Sequence, residues 1–122
     1  MKVAGIGFRV EASVASLRAA LISAAGADGV TALATSEAKA GAAVMLALAA
    51  ELGLPIIAVS RAELAAQTTL TESARVREKT GAGSLAEAAA LAGIGSKARL
   101  LGPRAVAPDH MATAAIAVGI SE

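Results

Sequence analysis

The apolar run KVAGI at residues 2–6, followed by GFR at residues 7–9 and then by Ser13, decides the fold of this chain. The run predicts a buried strand, and Ser13 predicts the N-cap of a helix. Gly5 and Gly7 allow a sharp turn or a close approach of the backbone to a ligand. The first helical turn offers unpaired N–H groups to an anion, with the Arg9 guanidinium beside them. A plain strand-to-helix turn explains the two glycines equally well, because the longer dinucleotide fingerprint is missing.

Beyond this unit, strand-like and helix-like segments alternate along the chain. Apolar residues at helical spacing predict helices over about residues 13–26 and 39–53. Short apolar runs predict strands at residues 30–35, 54–59, 98–101 and 112–118. We therefore expect residues 1–122 to form one α/β domain. Its architecture should be a three-layer α/β/α fold, whose mainly parallel sheet has about five strands and an antiparallel last strand.

A second glycine-rich turn, TGAGS at residues 80–84, precedes another predicted helix. Ser84 and Glu87 have the spacing of a capping box, in which each side chain bonds the backbone N–H of the other residue. The simple interpretation is a capped helix start. The polar segment at residues 67–72 should be a loop that moves in the absence of ligand, and residues 73–80 should form a short helix whose charges face solvent.

Two helix N-termini at the same edge of a parallel sheet would converge on one crevice. The expected lining of that crevice is Gly7, Phe8, Arg9, Ser13, Thr35, Lys39, Gly83, Ser84 and Glu87. The single histidine, His110, follows Asp109, but sequence neighbours on a turn seldom form a catalytic pair. Its role stays open at this point.

Composition excludes several classes of protein. The chain has no cysteine, eleven lysine and arginine residues against ten acidic residues, and Phe8 as its one aromatic residue. A thiolate metal site, a disulfide framework and a nucleic-acid surface with stacking rings are therefore not expected. Charged residues interrupt the apolar runs before they reach the roughly 20 residues that a membrane helix needs. We expect a cytoplasmic protein without a metal or cofactor of its own.

Five motifs in order resemble the CobE/CbiG C-terminal domain family of cobalamin biosynthesis. They are GIGFR at 5–9 with Ser13, LAT at 33–35 with Lys39, LGLP at 52–55, GSLAEAAAL at 83–91, and PDHMATAAIA at 108–117. The last motif is more similar to the stand-alone CobE type. One departure is that the family often has a glutamate shortly after the lysine matching Lys39, where this chain has Ala42 and Ala43.

This resemblance implies a role in corrin ring synthesis. CbiG proteins hydrolyse the ring A lactone of cobalt-precorrin-5A and release acetaldehyde, but they contain an additional N-terminal domain that has no counterpart in these residues. The first hypothesis is a protein that binds a corrin or precorrin intermediate through its carboxylates. The alternative is a hydrolase of the cobalt-precorrin-5A type, in which Glu87, His110 or Lys39 activates water. A third hypothesis is a subunit that docks on other cobalamin-pathway enzymes.

Overall fold

A mixed β-sheet of six strands forms the centre of the molecule in the computed structural model, which describes residues 1–119. The strands are β1 (Lys2–Phe8), β2 (Ala32–Ser36), β3 (Ile56–Val59), β4 (Ala98–Leu100), β5 (Ala105–Val106) and β6 (Ala112–Gly119). Their order across the sheet is β3-β2-β1-β6-β4, and β5 also pairs with β6. The first strand therefore lies in the middle of the sheet.

Strand direction follows the prediction from sequence. β1, β2 and β3 are parallel neighbours, whereas β6 runs antiparallel to β1, β4 and β5. The antiparallel last strand is thus confirmed, and it lies inside the sheet between β1 and β4. The two-residue strand β5 is the element that the sequence pattern did not predict.

Helices cover both faces of this sheet, which confirms the three-layer architecture. The helices of the described residues are α1 (Val14–Ser23), α2 (Glu37–Ala40), α3 (Ala43–Leu52), α4 (Arg61–Ala65), α5 (Ala74–Thr80) and α6 (Leu85–Ile94). α1 and α3 pack together on one face, and α6 covers the other face with α4 packed against it. The single helix expected from about Lys39 is divided at Gly41 into α2 and α3. Within residues 1–119, no helix has the length and apolarity that crossing a membrane requires.

Side-chain alternation along β1 supplies both apolar cores. Ile6 packs in the core beneath α1 and α3, whereas Val3 packs in the core beneath α6. Helix α6 is unusually enclosed, because every residue from Leu85 to Leu91 is buried. The sheet covers one side of α6, and α4 covers part of the other.

The two glycines of the first motif lie inside β1 and not in a turn beyond it. The strand continues to Phe8, so the strand end predicted at Ile6 was wrong by two residues. A Cβ atom on Gly5 would collide with the carbonyl oxygen of Ala86 and would lie 2.6 Å from the Ala90 nitrogen. A Cβ on Gly7 would lie 2.7 Å from Thr113 Oγ1. Both glycines therefore make room for close packing on the α6 side of the sheet.

Replacement of Gly5 by alanine tests this close contact. The added methyl group must displace the backbone of α6, and overpacking of this kind costs about 1–3 kcal/mol, with larger values where backbone must move. Gly41→Ala is the matched control, because a Cβ there has no heavy atom within 4 Å. Urea denaturation should show a clear loss of unfolding free energy for Gly5→Ala and little change for Gly41→Ala. Equal stability of the two variants would contradict the contact.

Candidate functional site

A cavity of about 520 Å³ opens at the carboxyl end of β1. This is the position at which the chain changes direction across the sheet, with β2 on one side of β1 and β6 on the other. Open α/β sheets commonly bind ligands at such a point. We call this cavity the basic cavity, after the charges described below. Its lining consists of residues 7–11 and 110–113 together with Lys39, Ser73, Arg75, Val76, Lys79, Thr80, Leu85, Arg104 and Val106.

Positive charge is concentrated in the basic cavity. Its lining contains one carboxylate, Glu11, against five cationic side chains, which are Arg9, Lys39, Arg75, Lys79 and Arg104. The ion pairs Arg18–Glu51 and Arg77–Glu72 use none of these five cations. Since the whole chain carries a formal net charge of only +1, the cavity holds a local excess of positive charge that attracts a multiply charged anion.

Apolar side chains lie among these cations. The apolar lining includes Phe8, Val10, Val76, Leu85, Val106 and Met111. Val10 is 93% exposed and Val106 is 42% exposed, so the rim of the cavity presents apolar surface to solvent. A ligand with an apolar body and anionic side chains would match both features of the lining.

Lys39 connects α2 to the end of β1. Its ammonium donates a hydrogen bond to the Phe8 carbonyl oxygen at 2.6 Å and lies 4.7 Å from the centroid of the Phe8 ring. Burial and, second, the positive charge of Lys79 lower the pKa of Lys39 below its ordinary value of 10.5. The carbonyl and ring contacts keep this side chain in the cavity, because both attract a cation.

The structure places His110 in the basic cavity as well. The histidine has a φ of 59°, a left-handed conformation that is uncommon outside glycine. Its N–H donates to the Ala107 carbonyl oxygen at 2.8 Å. Asp109 accepts from the Ser16 hydroxyl at 2.5 Å and from the Met111 N–H at 3.0 Å, which ties this turn to α1. The carboxylate of Asp109 is thus bonded by Ser16 and Met111, and the charge of His110 is the smallest of the causes that lower the pKa of Asp109.

Glu87 is fully buried, and its carboxylate accepts four hydrogen bonds. The N–H groups of Leu70 and Thr71 donate to Oε1 at 2.6 and 2.9 Å. The Thr71 hydroxyl and the Arg104 N–H donate to Oε2 at 2.6 and 2.8 Å. Burial raises the pKa of Glu87, but the hydrogen bonds lower it more, so the pKa lies below the ordinary value. The carboxylate therefore stays ionised without a cationic partner.

This arrangement corrects the predicted capping box. Ser84 caps α6, since its hydroxyl accepts from the Glu87 N–H at 3.3 Å, but the Glu87 side chain does not return to Ser84. It instead accepts from the N–H groups of Leu70 and Thr71, in the loop that leads to α5, and from the N–H of Arg104, which lines the basic cavity. These bonds restrain part of the segment whose mobility the sequence predicted. Because its carboxylate already accepts four hydrogen bonds and the residue lies outside the lining of the basic cavity, Glu87 is poorly placed to activate water there.

Four of the nine predicted site residues line the basic cavity, namely Gly7, Phe8, Arg9 and Lys39. The other five have structural contacts elsewhere. Ser13 caps α1, the buried Thr35 hydroxyl donates to the Ile6 carbonyl oxygen at 2.8 Å, and Ser84 and Glu87 are buried as described. A Cβ on Gly83 would lie 2.7 Å from the Thr71 carbonyl oxygen and 2.8 Å from Thr69 Oγ1. The loop at residues 67–72 therefore occupies the second glycine-rich turn, where a ligand was expected.

Sequence reasoning missed four of the cavity's basic side chains as ligand contacts. They are Arg75, Lys79, Arg104 and His110. Residues 73–80 were predicted to present their charges to solvent alone, whereas α5 forms one wall of the cavity. A signal existed there, because Arg75, Arg77 and Lys79 outnumber the single Glu78. Arg104 had no local signal, since the topology alone brings it near β1.

Comparison with known proteins agrees with the motifs. The family model described as cobalamin synthesis G C-terminus matches residues 2–117. The chain belongs to this family. Its members act in cobalamin biosynthesis, so this chain is a protein of that pathway. No curated protein sequence matches the chain. Within residues 1–119, no group of three or more His, Cys, Asp or Glu residues is placed to hold a metal ion.

Two solved structures of cobalamin biosynthesis proteins are similar over nearly the whole chain. The first is CobE, at 33% identity and a TM-score of 0.87, with 100% of this chain and 92% of the other covered. The second is chiG from Agrobacterium tumefaciens str. C58, at 38% identity and a TM-score of 0.74, with coverage of 99% and 100%. The similarity therefore includes all elements that form the basic cavity.

Glu87→Gln should destabilise the protein although it preserves side-chain shape. The NH₂ group of the glutamine would face N–H and O–H donors that now bond the carboxylate. The loss of charge-assisted hydrogen bonds costs about 1.5–3 kcal/mol. Glu51→Gln is the control, because an ion pair as exposed as that of Glu51 with Arg18 contributes little to stability. Urea denaturation at neutral pH checks both values. A loss for Glu87→Gln no larger than that for Glu51→Gln would contradict the role of this buried carboxylate.

The Glu87 carboxylate should also make stability depend on pH. Because folding lowers its pKa below the ordinary 4.5, its contribution is complete above that pH and is lost as pH falls through the folded-state value. The stability difference between the native chain and Glu87→Gln should therefore shrink as the solution is acidified below 4.5. Denaturation over a pH series measures this difference. A difference that stays constant with pH would show that Glu87 is not ionised in the folded protein.

Proposed function

We propose that this protein binds a corrin or precorrin intermediate in the basic cavity through the carboxylates of that intermediate. The observation that carries the proposal is the set of five cations without ion-pair partners within residues 1–119, placed around apolar surface at the end of β1. Membership in a family of cobalamin biosynthesis supplies the class of ligand. We also propose that the protein is located in the cytoplasm.

The chemistry of the ligand complements the cavity. Corrin intermediates have an apolar macrocycle with acetate and propionate carboxylates around its edge. Phe8 and Met111 would contact the ring, while Arg9 and Arg75 would meet carboxylates from separate elements of the fold. Arginine suits this task, because its planar guanidinium can bond both oxygens of one carboxylate.

A titration with a coloured corrinoid tests the proposal directly. Cobyrinic acid, which has free carboxyl groups, should bind with a change in its absorbance spectrum. Its heptamethyl ester has the same ring without the charges and should bind far more weakly. The affinity for the acid should fall as salt is added, because the cavity is open to solvent. Equal affinities for acid and ester would contradict binding through carboxylates.

Arg9→Ala and Arg75→Ala should each weaken the binding of cobyrinic acid by about tenfold or more, as a charge-assisted contact contributes about 1.5–3 kcal/mol. Arg99→Ala is the matched control, because Arg99 lies on β4 and does not line the cavity. Unchanged affinity in both cavity variants would refute this site. Mass spectrometry of the recovered corrinoid should show an unaltered mass, whereas an opened lactone from a lactone-containing precursor would favour the hydrolase.

A further inference from the structure

A second cavity, of about 370 Å³, adjoins the basic cavity at the carboxyl ends of β2 and β3. This side cavity is lined by Ser36, Glu37 and Ala38 on one flank and by Val59, Arg61 and Leu64 on the other. Lys39, Lys79 and Thr80 line both cavities and therefore form the junction between them.

The junction holds two positive charges, because Lys39 and Lys79 both line it. Lys79 is close enough to lower the pKa of Lys39 by charge repulsion. Within residues 1–119, neither lysine takes part in an ion pair. The Thr80 hydroxyl is already engaged, since it donates to the Val76 carbonyl oxygen at 2.8 Å. The Glu37 carboxylate also lines the side cavity, but among the described residues it forms an ion pair with neither lysine. An anion placed between the two ammonium groups would therefore relieve their repulsion.

The backbone holds both lysines at this position. Lys39 is fixed by its hydrogen bond to the Phe8 carbonyl oxygen at 2.6 Å. The end of α5 is fixed because the Arg61 guanidinium donates to the Lys79 carbonyl oxygen at 2.5 Å. Arg61 also lines the side cavity, so a third cation lies beyond the junction. The pair is therefore a built feature of three elements, α2, α4 and α5.

We propose that one carboxylate of the ligand binds between Lys39 and Lys79, with the side chain that carries it directed from the basic cavity into the side cavity. This inference rests on the proposed function and adds which side-chain group of the ligand the protein selects. A free carboxylate offers only acceptors to the two ammonium groups, whereas a carboxamide would also present an N–H donor to them. The protein thus selects tetrapyrroles whose side chain at this position is still an acid. The protein therefore acts in the pathway before any reaction that converts this side-chain carboxylic acid to an amide.

Binding at the junction should change the protonation of Lys39. A carboxylate beside the ammonium opposes the repulsion from Lys79, so the pKa of Lys39 rises when the ligand binds. By linkage, affinity for the ligand is highest while Lys39 is protonated in the free protein. Affinity then falls as pH rises through the pKa that Lys39 has without ligand.

The test compares cobyrinic acid with cobinamide, in which all seven side-chain carboxyl groups are amides. Lys79→Gln should weaken the binding of cobyrinic acid by tenfold or more and should leave the weaker binding of cobinamide unchanged. Ala38→Leu, which adds bulk to the side cavity at an exposed position, should also weaken the binding of the acid. Arg75→Ala is the comparison variant, because Arg75 lines the basic cavity away from the junction.

NMR of lysine labelled with ¹³C at Cε gives a readout other than affinity. In the native chain and in Arg75→Ala, saturating cobyrinic acid should raise the pKa of Lys39. If Arg75→Ala weakens binding but Lys79→Gln and Ala38→Leu do not, and the pKa of Lys39 stays constant, the junction site is overturned while the proposed function stands. If cobyrinic acid does not bind the native chain at all, both proposals fail together.

Discussion

The rest of this structure depends on the direct contact between α6 and the middle of the sheet. Gly5 has no Cβ, so the backbone of α6 lies closer to β1 than any larger residue would permit. Alanines in α6 and β6 extend this close packing in both directions, and Ala86, Ala88, Ala115 and Ala117 are all buried. Because α6 is enclosed, whatever its polar side chains bond must also be inside the protein.

The hydrogen bonds of the buried Glu87 carboxylate help to shape the basic cavity. The carboxylate accepts from backbone and hydroxyl donors in the loop before α5 and from the Arg104 N–H, so it joins that loop to a segment that lines the basic cavity. Within residues 1–119, these donors include no lysine or arginine side chain. The cations that line the cavity are thus not used to bond Glu87. The positive charges of Lys39 and Lys79 repel each other, which lowers the pKa of Lys39.

The sequence contained enough information to predict the fold and four of the residues that line the basic cavity. Alternating apolar segments predicted the layers and the antiparallel β6, since local periodicity reports directly on burial. Phe8 and Arg9 of the first motif and Lys39 of the second all line the basic cavity. The glycine-rich turn at residues 80–84 was expected to line it too, but the loop at residues 67–72 covers that turn. A capped helix start has the same sequence whether a ligand or a loop of the chain covers it. Arg104 and the wall formed by α5 depend on contacts between distant segments, which no local pattern encodes.

Chemical-shift mapping of the ¹⁵N-labelled protein with cobyrinic acid tests the central claim most directly. Perturbed amide signals are expected around the basic cavity, at Arg9, Lys79 and His110, with the surface around Arg18 and Glu51 on α1 and α3 unaffected. Perturbations confined to the α1–α3 face, or none at saturating corrinoid, would contradict this claim.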